Sequence, residues 1–323
     1  MLLLKKNLTF FTIIYITVII LYAGSCRNDK TDIPNLIKHT ESLERKEKGR
    51  IILTIGDSNG VVNGGWPAAL QTVLKKDSVI NNSEGGRTIG FDNCGNPNWN
   101  AIRNIESYLK EAVEKSCHKP IDEVIILLGT NDSKACFEDR KDEVIPNLIT
   151  LITQIRSFDN CGSLPPHITL VTPPPYGPDS MVAKKALGGD KRVCLLVPQY
   201  REVALKYDCA YVNIYPLIKP IFDEVVMDHV HLTREGHKIV ADAIASVLND
   251  WEAPEPPSDI GYENNFLTWD PSESNDVIGY EVIRKNRIIR AATRNRVRLP
   301  SEITDISVRA RDGYGNVSVA VTL

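Results

Sequence analysis

The sequence predicts an α/β protein, in which a three-layer α/β/α domain with a five-stranded parallel sheet is followed by a small β-sandwich. Three observations predict this architecture. Short apolar segments alternate with segments of helical period over about 200 residues from Arg50, which is the pattern of a parallel sheet covered by helices on both faces. A Pro-rich break follows at Ala253–Ser258. Beyond the break, only short strand-like segments separated by turns remain, as in a sandwich.

Five short apolar runs in the first region are predicted as β-strands. A parallel strand is buried on both faces and therefore shows continuous apolar residues rather than alternation. The run with the sequence IDEVIILL fits this pattern best. The five predicted strands are Ile51–Ile55, Ser78–Asn81, Ile121–Leu128, His167–Val171 and Ala210–Ile214.

The segments between these runs are predicted as helices, because their apolar residues return every three or four positions. The fourth of them is predicted as a helix despite Pro198. The predicted helices are Trp66–Lys75, Trp99–Ser116, Asp142–Phe158, Lys191–Tyr207 and Glu235–Asn249. The ligand site of such a sheet lies at the carboxyl ends of its strands, so the residues directly after the strands are the functional candidates.

The last region, residues 252–323, predicts a β-sandwich. Its turns include Asp312-Gly313 and Tyr314-Gly315-Asn316, which are residue types that favour tight turns between strands. The predicted strands are Phe266–Trp269, Ile278–Lys285, Ile288–Ala292, Ile306–Ala310 and Val317–Leu323.

The N-terminus predicts an export signal. Lys5 and Lys6 precede the apolar run Leu8–Tyr22, and the small residues Ala23-Gly24-Ser25 follow, which is the order of a secretory signal peptide. The alternative is an uncleaved membrane anchor, although the run is shorter than the ~20 residues that a span needs. Residues 1–25 are therefore interpreted as a signal peptide.

Cys26 directly follows these small residues, and the segment resembles a bacterial lipobox. The resemblance implies that Cys26 is the lipidated first residue of the mature chain. Residues 26–49 are polar and charged and are interpreted as a tether. We thus expect an exported, membrane-anchored lipoprotein of a bacterium, facing the periplasm or lying on the cell surface.

The composition and net charge limit which classes of binding partner we expect. The chain has 323 residues and a formal net charge of −3, and we expect no block of like charge that would bind a polyelectrolyte. Nucleic-acid-binding domains usually show a basic patch, so no nucleic-acid partner is expected. An oxidising compartment would allow some cysteines to pair, and the sequence does not choose among the pairings. Beside Cys26 the cysteines are Cys94, Cys117, Cys136, Cys161, Cys194 and Cys209.

The first chemical motif is Gly56-Asp57-Ser58, immediately after the first strand. A serine at a strand-to-helix turn is exposed at the carboxyl edge of the sheet, and its backbone N–H can face a bound oxyanion. Alternatively, Ser58 is only a helix N-cap. The motif on its own does not separate these interpretations.

The second motif is Gly129-Thr130-Asn131-Asp132, after the third strand. Asn131 would project its amide from the same edge of the sheet, where an amide N–H can donate to developing negative charge. The alternative is an Asx turn that caps the following segment.

The third motif is Asp228-His229-Val230-His231. A spacing of three lets the Asp228 carboxylate reach Nδ1 of His231, which fixes the imidazole tautomer and leaves Nε2 free to face a serine. A surface histidine cluster or a metal pair is the alternative. Two histidines and one aspartate lack a further ligand for a closed zinc site, so no metal is expected.

The joint order of the three motifs resembles that of the SGNH, or GDSL-type, hydrolases. The resemblance covers roughly Arg50–Asp250, and it implies a flavodoxin-like α/β/α domain over residues 50–251. It further implies a serine esterase with the catalytic triad Ser58, Asp228 and His231, and it requires no cofactor. Aligning the segment after the second strand places Gly86 in the family's glycine block. Ser58 N–H, Gly86 N–H and the Asn131 amide would then form the oxyanion hole.

Two departures from the family pattern concern the residues beside these motifs. Asn59 replaces the Leu or Ile that usually follows the serine, and Ser83 stands where glycine is frequent. The pieces GGRT, LGTNDSK and VTPPP are similar to the arylesterase and carbohydrate-esterase branch. Further candidates for shaping the substrate cleft, each of which has an ordinary packing role as its alternative, are Arg87, Trp99, Asn100, Asp132, Lys134 and Tyr176–Asp190.

The C-terminal pieces LTWDPS, GYEVIRK and ISVRARDGYGNVS resemble a fibronectin type III module, with Trp269 and Tyr280 as its core aromatics. We interpret this module as a spacer or packing partner.

The resulting expectation is an esterase that removes small acyl groups, acetyl in particular, from carbohydrate. Its expected partners are an ester substrate such as an acetylated polysaccharide or oligosaccharide, and the membrane through the lipid anchor. Two alternatives stay open: a lipase, lysophospholipase or thioesterase, and a non-catalytic glycan-binding surface lipoprotein.

Overall fold

The computed structural model describes residues 49–61, 63–299 and 304–323. The predicted signal peptide, Cys26 and all but the last residue of the predicted tether lie outside the described residues. Within the described ranges, no helix combines the length and the apolar character needed to cross a bilayer.

The first part of the structure is built on a five-stranded sheet in which every neighbouring pair of strands is parallel. The order of the strands across the sheet is β2-β1-β3-β4-β5. The strands are β1 (Ile51–Gly56), β2 (Ser78–Ser83), β3 (Glu123–Leu127), β4 (His167–Val171) and β5 (Ala210–Val212). The predicted fold class is therefore confirmed, and all five predicted strands are present.

Helices cover both faces of this sheet, as successive residues of β3 illustrate. Val124 and Ile126 lie in one apolar core, whereas Ile125 and Leu127 lie in the other. Side chains of a strand alternate between faces, so a strand between two cores is apolar at nearly every position; Glu123, at the start of β3, is a buried exception that accepts a hydrogen bond from Thr169. The helices are α1 (Ser58–Val61), α2 (Trp66–Val73), α3 (Ala101–Lys115), α4 (Val144–Ser157), α5 (Gly189–Lys206), α6 (Tyr215–Ile218), α7 (Phe222–Val225) and α8 (Arg234–Leu248).

The predicted helix Trp99–Ser116 begins two residues later, at Ala101. Asn100 has an extended backbone, and its side chain accepts a hydrogen bond from the N–H of Arg103. An asparagine in this position satisfies a helix N–H that has no intrahelical partner, so it sets the start of α3. Pro198 lies inside α5 on its exposed side, and the predicted helix continues through it.

The last part forms two facing antiparallel sheets, of four and three strands. Its core contains Trp269 and Tyr280, whose rings meet edge to face with centroids 5.3 Å apart. The strands are β8 (Ser258–Glu263), β9 (Phe266–Asp270), β10 (Val277–Arg284), β11 (Arg287–Ala292), β12 (Arg296–Arg298), β13 (Ile306–Asp312) and β14 (Val321–Thr322).

Sequence analysis missed β8 and β12. The strand β8 begins at Ser258, where the Pro-rich break ends, and contains Gly261, which weakens a strand pattern. The strand β12 has only three residues, two of them arginine. Both strands pair with β9, so tertiary pairing rather than local preference forms them.

The sandwich packs against the parallel sheet beside β5, the strand at one side of the sheet. The N–H of Tyr211, in β5, donates to the carbonyl of Gly313 over 2.7 Å. Buried Arg311 forms ion pairs with Asp208, at 2.5 Å, and with Glu281, at 3.2 Å. The sandwich and the α/β part therefore share a backbone hydrogen bond and a charge cluster around buried Arg311 and Glu281.

Candidate active site

The first element of the site is the turn between β1 and α1, which carries Ser58. The turn has little space around it: a Cβ added to Gly60 would lie 2.1 Å from Ser83 Oγ, and one added to Gly56 would lie 2.7 Å from the same atom. The ring of Trp66 closes the other side, within 3.4 Å of both added positions. Small residues on both sides of Ser58 are thus needed to seat the turn between Trp66 and Ser83.

The second element is a loop between two short strands, β6 (Val226–Met227) and β7 (His231–Leu232). Asp228 and His229 both have positive φ, 47° and 63°, which turns the chain sharply. The Asp228 carboxylate accepts hydrogen bonds from the N–H groups of Val230, at 3.3 Å, and His231, at 2.9 Å. The same carboxylate therefore holds the loop closed and sits beside the imidazole.

Ser58, His231 and Asp228 form a continuous chain of contacts. The Nε2 atom of His231 lies 2.9 Å from Ser58 Oγ, and its Nδ1 atom lies 2.8 Å from Asp228 Oδ2. A carboxylate at Nδ1 keeps the proton there, and Nε2 is then left as the acceptor for the serine hydroxyl. The structure brings together the three residues that the motifs predicted, although Ser58 and His231 are 173 positions apart.

The electrostatics of Asp228 suit this arrangement. Burial alone would raise the pKa of Asp228, but hydrogen bonds from the backbone and the ring of His231 hold its pKa below the usual value. Asp228 is therefore ionised across the neutral range. The side chains of Asp228 and His231 are 59% and 37% exposed, so the pair is open to solvent and substrate.

Asn59, the residue after the serine, joins the two elements. Its Oδ1 accepts a hydrogen bond of 2.8 Å from the N–H of Leu232, the residue directly after His231. The N–H of Asn59 in turn donates to Oδ1 of the buried Asp57 at 3.0 Å. Asn59 and Leu232 are both buried. An aliphatic residue at position 59 would leave the Leu232 N–H without this acceptor.

The third element is the loop after β2, which carries Gly86. Its backbone has φ 83°, and a Cβ there would lie 3.2 Å from the ring of Trp99, so both conformation and space favour glycine. The N–H of Glu84 donates to the carbonyl of Gly56 over 3.2 Å, which fastens the loop beside the serine turn. In the part of the chain that the structure describes, the Gly86 N–H has no acceptor within hydrogen-bond distance.

Asn131 lies at the end of β3 and is buried. Its Nδ2 donates to the carbonyl of Arg87 over 3.0 Å, so the amide is fixed against the Gly86 loop and retains a second N–H. The structure therefore gathers all three predicted oxyanion-hole positions, in Ser58, Gly86 and Asn131, at one edge of the sheet.

Several residues that were predicted to shape the cleft instead hold the fold together through packing and hydrogen bonds. Arg87 is buried beneath the Tyr108 ring, 4.3 Å from its centroid, and its guanidinium donates to main-chain carbonyls. Both carboxylate oxygens of Asp132 accept from the N–H of Ile89. Asn100 caps α3, as described above. Trp99 is the exception, because its half-buried ring lies against Gly86.

The predicted cleft segment Tyr176–Asp190 does reach the catalytic loop. The hydroxyl of Tyr176 donates to the carbonyl of Thr130 over 2.6 Å, and the N–H of Gly177 donates to the carbonyl of His229 over 2.8 Å. This support for the loop, like that from Asn59, was missed by sequence reasoning. The signal for Asn59 was present in its departure from the family pattern, whereas nothing in the sequence pairs Gly177 with His229.

No disulfide joins the cysteines that lie in the described ranges. Five of them are exposed, and Cys209 is buried, where burial raises the pKa of its thiol to about 12. A group of acidic residues, Asp250, Asp276 and Asp312, has carboxylate oxygens within 4.8 Å of one another. It lies beyond the C-terminal end of α8, away from His231, and both Asp312 oxygens already accept hydrogen bonds.

Fold and site together define a three-layer α/β/α domain in which a serine, a histidine and an aspartate lie in contact beside the turn after β1. The model of the GDSL-like lipase/acylhydrolase family matches residues 53–239, more than half of the chain. The chain belongs to the GDSL-like lipase/acylhydrolase family.

Individual relatives agree with this assignment. An acetylxylan esterase of Xylanibacter ruminicola is 27% identical over 198 residues, which are 57% of this chain and 38% of that relative. The chain therefore spans well under half the length of this curated relative. Two solved structures have the same fold at 24% identity: a carbohydrate acetylesterase family member from Sinorhizobium meliloti, with a TM-score of 0.51, and a putative arylesterase from Agrobacterium tumefaciens, with a TM-score of 0.50. They cover 61% and 62% of this chain, and 96% and 99% of their own chains are matched.

Proposed function

We propose that the protein is a serine esterase in which Ser58 is the nucleophile, His231 the general base and Asp228 the group that orients His231. One observation carries the proposal: Ser58 Oγ, the two ring nitrogens of His231 and the Asp228 carboxylate form an unbroken chain of contacts of 2.9 and 2.8 Å. This order of hydroxyl, imidazole and carboxylate is what proton abstraction from a serine requires.

In the proposed reaction Ser58 Oγ attacks the ester carbonyl while His231 Nε2 takes the hydroxyl proton. The imidazolium that forms is stabilised by ionised Asp228 and then gives the proton to the leaving alcohol. His231 Nε2 then takes a proton from water, the hydroxide attacks the acyl-serine carbonyl, and the same proton passes to Ser58 Oγ as the C–O bond breaks and the carboxylic acid leaves. Both acylation and deacylation therefore return His231 to its neutral form.

The oxyanion hole would stabilise the negative charge of the tetrahedral intermediate. We assign its donors to Ser58 N–H, Gly86 N–H and Asn131 Nδ2. The Gly86 N–H is supported by its lack of a protein acceptor in the described ranges. Loss of one such donor typically costs ~10²–10³ in rate.

The proposed substrate is a small acyl ester, acetyl in particular, on a carbohydrate. The acetylxylan esterase relative supports this substrate class, and so do one polar and one aromatic side chain, Asn93 and Trp99, beside Gly86. A lipase or lysophospholipase would need an apolar groove for its acyl chain. The loops around Ser58 are instead rich in Gly, Asn and Pro.

The test is hydrolysis by a soluble form that begins at Asn28. We expect hydrolysis of p-nitrophenyl acetate and of acetylated xylan, weaker activity on butyrate and little on a long-chain ester. Ser58→Ala should lower kcat by roughly 10⁴–10⁶-fold, whereas Ser163→Ala, in an exposed loop, should leave it unchanged. Equal rates for wild type and Ser58→Ala would overturn the triad. Glycan binding without any hydrolysis would support a non-catalytic protein.

We also propose that Cys26 anchors the protein to a bacterial membrane by lipidation. The support is the order of basic, apolar and small residues before Cys26, and two or more acyl chains would make the attachment stable. The wild type should incorporate labelled fatty acid, and Cys26→Ala should not. Equal incorporation in the two, or none in the wild type, would refute lipidation at Cys26 and favour an uncleaved anchor.

For the C-terminal module, we propose a fibronectin type III-like sandwich. Its sheets of three and four strands and its Trp269–Tyr280 core support this relationship. An experimental structure whose strand order differs from that of fibronectin type III domains would refute it.

A further inference from the structure

One segment of the sandwich is strongly basic. Between Arg284 and Arg298 the chain has seven cations and no acidic residue. Because the whole chain carries −3, the residues outside this segment carry a net −10. The segment is thus a block of positive charge in an otherwise acidic chain. Neutral residues separate most of these cations, which conceals the block in the sequence.

The fold gathers these cations along one side of the sandwich. The strand β11 is an edge strand of the four-stranded sheet, and β12 is an edge strand of the three-stranded sheet. Residues 293–295 connect them. Together with the last turns of α5, the two strands line a groove of about 520 Å³.

The walls of this groove carry unneutralised positive charge. Lys206 projects from α5, and Arg290, Arg294 and Arg296 project from the sandwich; Glu202 is the acidic residue of the lining. All four cations are exposed. In the ranges that the structure describes, none of them lies within 4.0 Å of a carboxylate oxygen.

Apolar surface lies between these charges. Leu205, Ile289 and Val297 also line the groove, and Ile289 is 41% exposed. A ligand that fits such a lining carries separated negative groups on a framework with C–H surface. Guanidinium groups bind carboxylates with two parallel hydrogen bonds.

We propose that this groove binds a linear polysaccharide that carries carboxylate groups, such as a uronate-bearing glycan. A flat bilayer cannot enter a concavity that has cations on both walls, whereas a single polymer chain can. The net charge of −10 elsewhere disfavours a dense polyphosphate such as a nucleic acid. A glycan with at most one carboxylate per sugar has a lower charge density than a nucleic acid and is repelled less by the acidic remainder of the chain.

The groove lies far from the nucleophile. Helix α5 has 18 residues, which span about 27 Å at 1.5 Å per residue. Its first residue packs on Tyr176, which supports the catalytic side of the sheet, and its last, Lys206, lines the groove. We therefore expect the groove to raise the affinity for the polymer and to leave the rate of the chemical step unchanged. This inference rests on the proposed function in one respect: the acidic polysaccharide in the groove is taken to be the polymer whose esters the active site hydrolyses.

The test measures binding separately from hydrolysis. The mature chain from Asn28 is run in native gels that contain polygalacturonate, with neutral xylan in a parallel gel. The groove variant combines Lys206→Gln, Arg290→Gln and Arg294→Gln. The matched control, Lys75→Gln, Lys76→Gln and Lys238→Gln, removes the same charge from exposed positions elsewhere.

We expect polygalacturonate to retard the wild type and the control, and neutral xylan to retard neither. The groove variant should bind polygalacturonate about tenfold more weakly, because exposed ion pairs contribute roughly two- to threefold each. Wild-type binding should weaken as salt rises from about 50 to 300 mM, where screening shortens to a few ångströms.

Equal retardation of the groove variant and the control would overturn the proposal, and so would no retardation of the wild type. Binding to vesicles with anionic lipid but not to polygalacturonate would replace it with a membrane-facing surface. Hydrolysis of p-nitrophenyl acetate should be the same in the wild type and both variants. A wild type that binds the polymer but hydrolyses no ester would contradict the proposed function and leave this inference standing.

Discussion

The hydrogen bond between Asn59 and Leu232 leads to a sharp prediction about how the catalytic histidine is positioned. The perturbation is Asn59→Ala, which removes the acceptor of the Leu232 N–H, held at 2.8 Å in a site where both residues are buried. A buried donor left unsatisfied costs roughly 1–3 kcal/mol of unfolding free energy. The Asn59 Nδ2 already lacks a partner in the described ranges, so its loss adds no further cost.

The same change should affect the rate, because Leu232 directly follows His231. A displacement of about 1 Å between reacting groups can cost ~10²-fold, and the 2.9 Å contact from His231 to Ser58 depends on the position of this loop. We expect kcat for p-nitrophenyl acetate to fall by roughly 10- to 100-fold, with little change in KM. The measurement is steady-state kinetics well below the melting temperature, together with denaturant unfolding.

The control separates positioning from general destabilisation. Asn160 is another buried asparagine, and its Oδ1 accepts from the N–H of Ile121 over 2.8 Å at the opposite edge of the sheet. Asn160→Ala should lower the unfolding free energy at least as much and leave kcat unchanged. A kcat for Asn59→Ala within twofold of wild type, or an equal fall for Asn160→Ala, would refute the reasoning.

Three further predictions follow from other contacts. Gly86→Ala should lower kcat by ~10²–10³, measured on p-nitrophenyl acetate, because φ is 83° and the new methyl meets Trp99. Burial raises the pKa of Asp132 to about 7, so the folded state binds its proton more tightly than the unfolded state. Denaturant unfolding should therefore show stability falling from about pH 4 to 7 more steeply in wild type than in Asp132→Asn, where the raised pKa values of Asp57 and Asp312 leave a smaller fall; equal slopes would contradict this assignment. Arg311→Met should cost about 1–3 kcal/mol by the same measurement, less than the loss of a buried charge's only partner, because Glu281 keeps Arg309 at 2.7 Å; a loss below 1 kcal/mol would contradict the pairing argument.

Much of the α/β part followed from local pattern. Continuous apolar runs predicted all five strands of the sheet, and their ends differ from the observed ones by at most two residues. The reason is that a strand buried on both faces is apolar along nearly all of its length, which a sequence displays directly. The motifs placed Ser58, Asn131 and His231 after or between these elements, and the structure gathers them at one edge.

The strands of the sandwich were harder to predict from the sequence. The edge strand β12 has alternating charged residues, and β8 follows a Pro-rich break. Edge strands need apolar residues on one face at most, so their sequences resemble loops. The basic groove was missed for a related reason, because its cations come from two sheets and from α5.

The sequence by itself determined the layers of the fold, the nucleophile turn and the local Asp228–His231 pair, because each depends on residues within a few positions of one another. Only the tertiary structure decided what meets across the chain: Asn59 with Leu232, Gly86 with Trp99, and the groove beside α5. Hydrophobic periodicity specifies which face of an element is buried, but it carries no record of which polar group lies opposite. Such a contact exists only after both elements have packed on the same sheet.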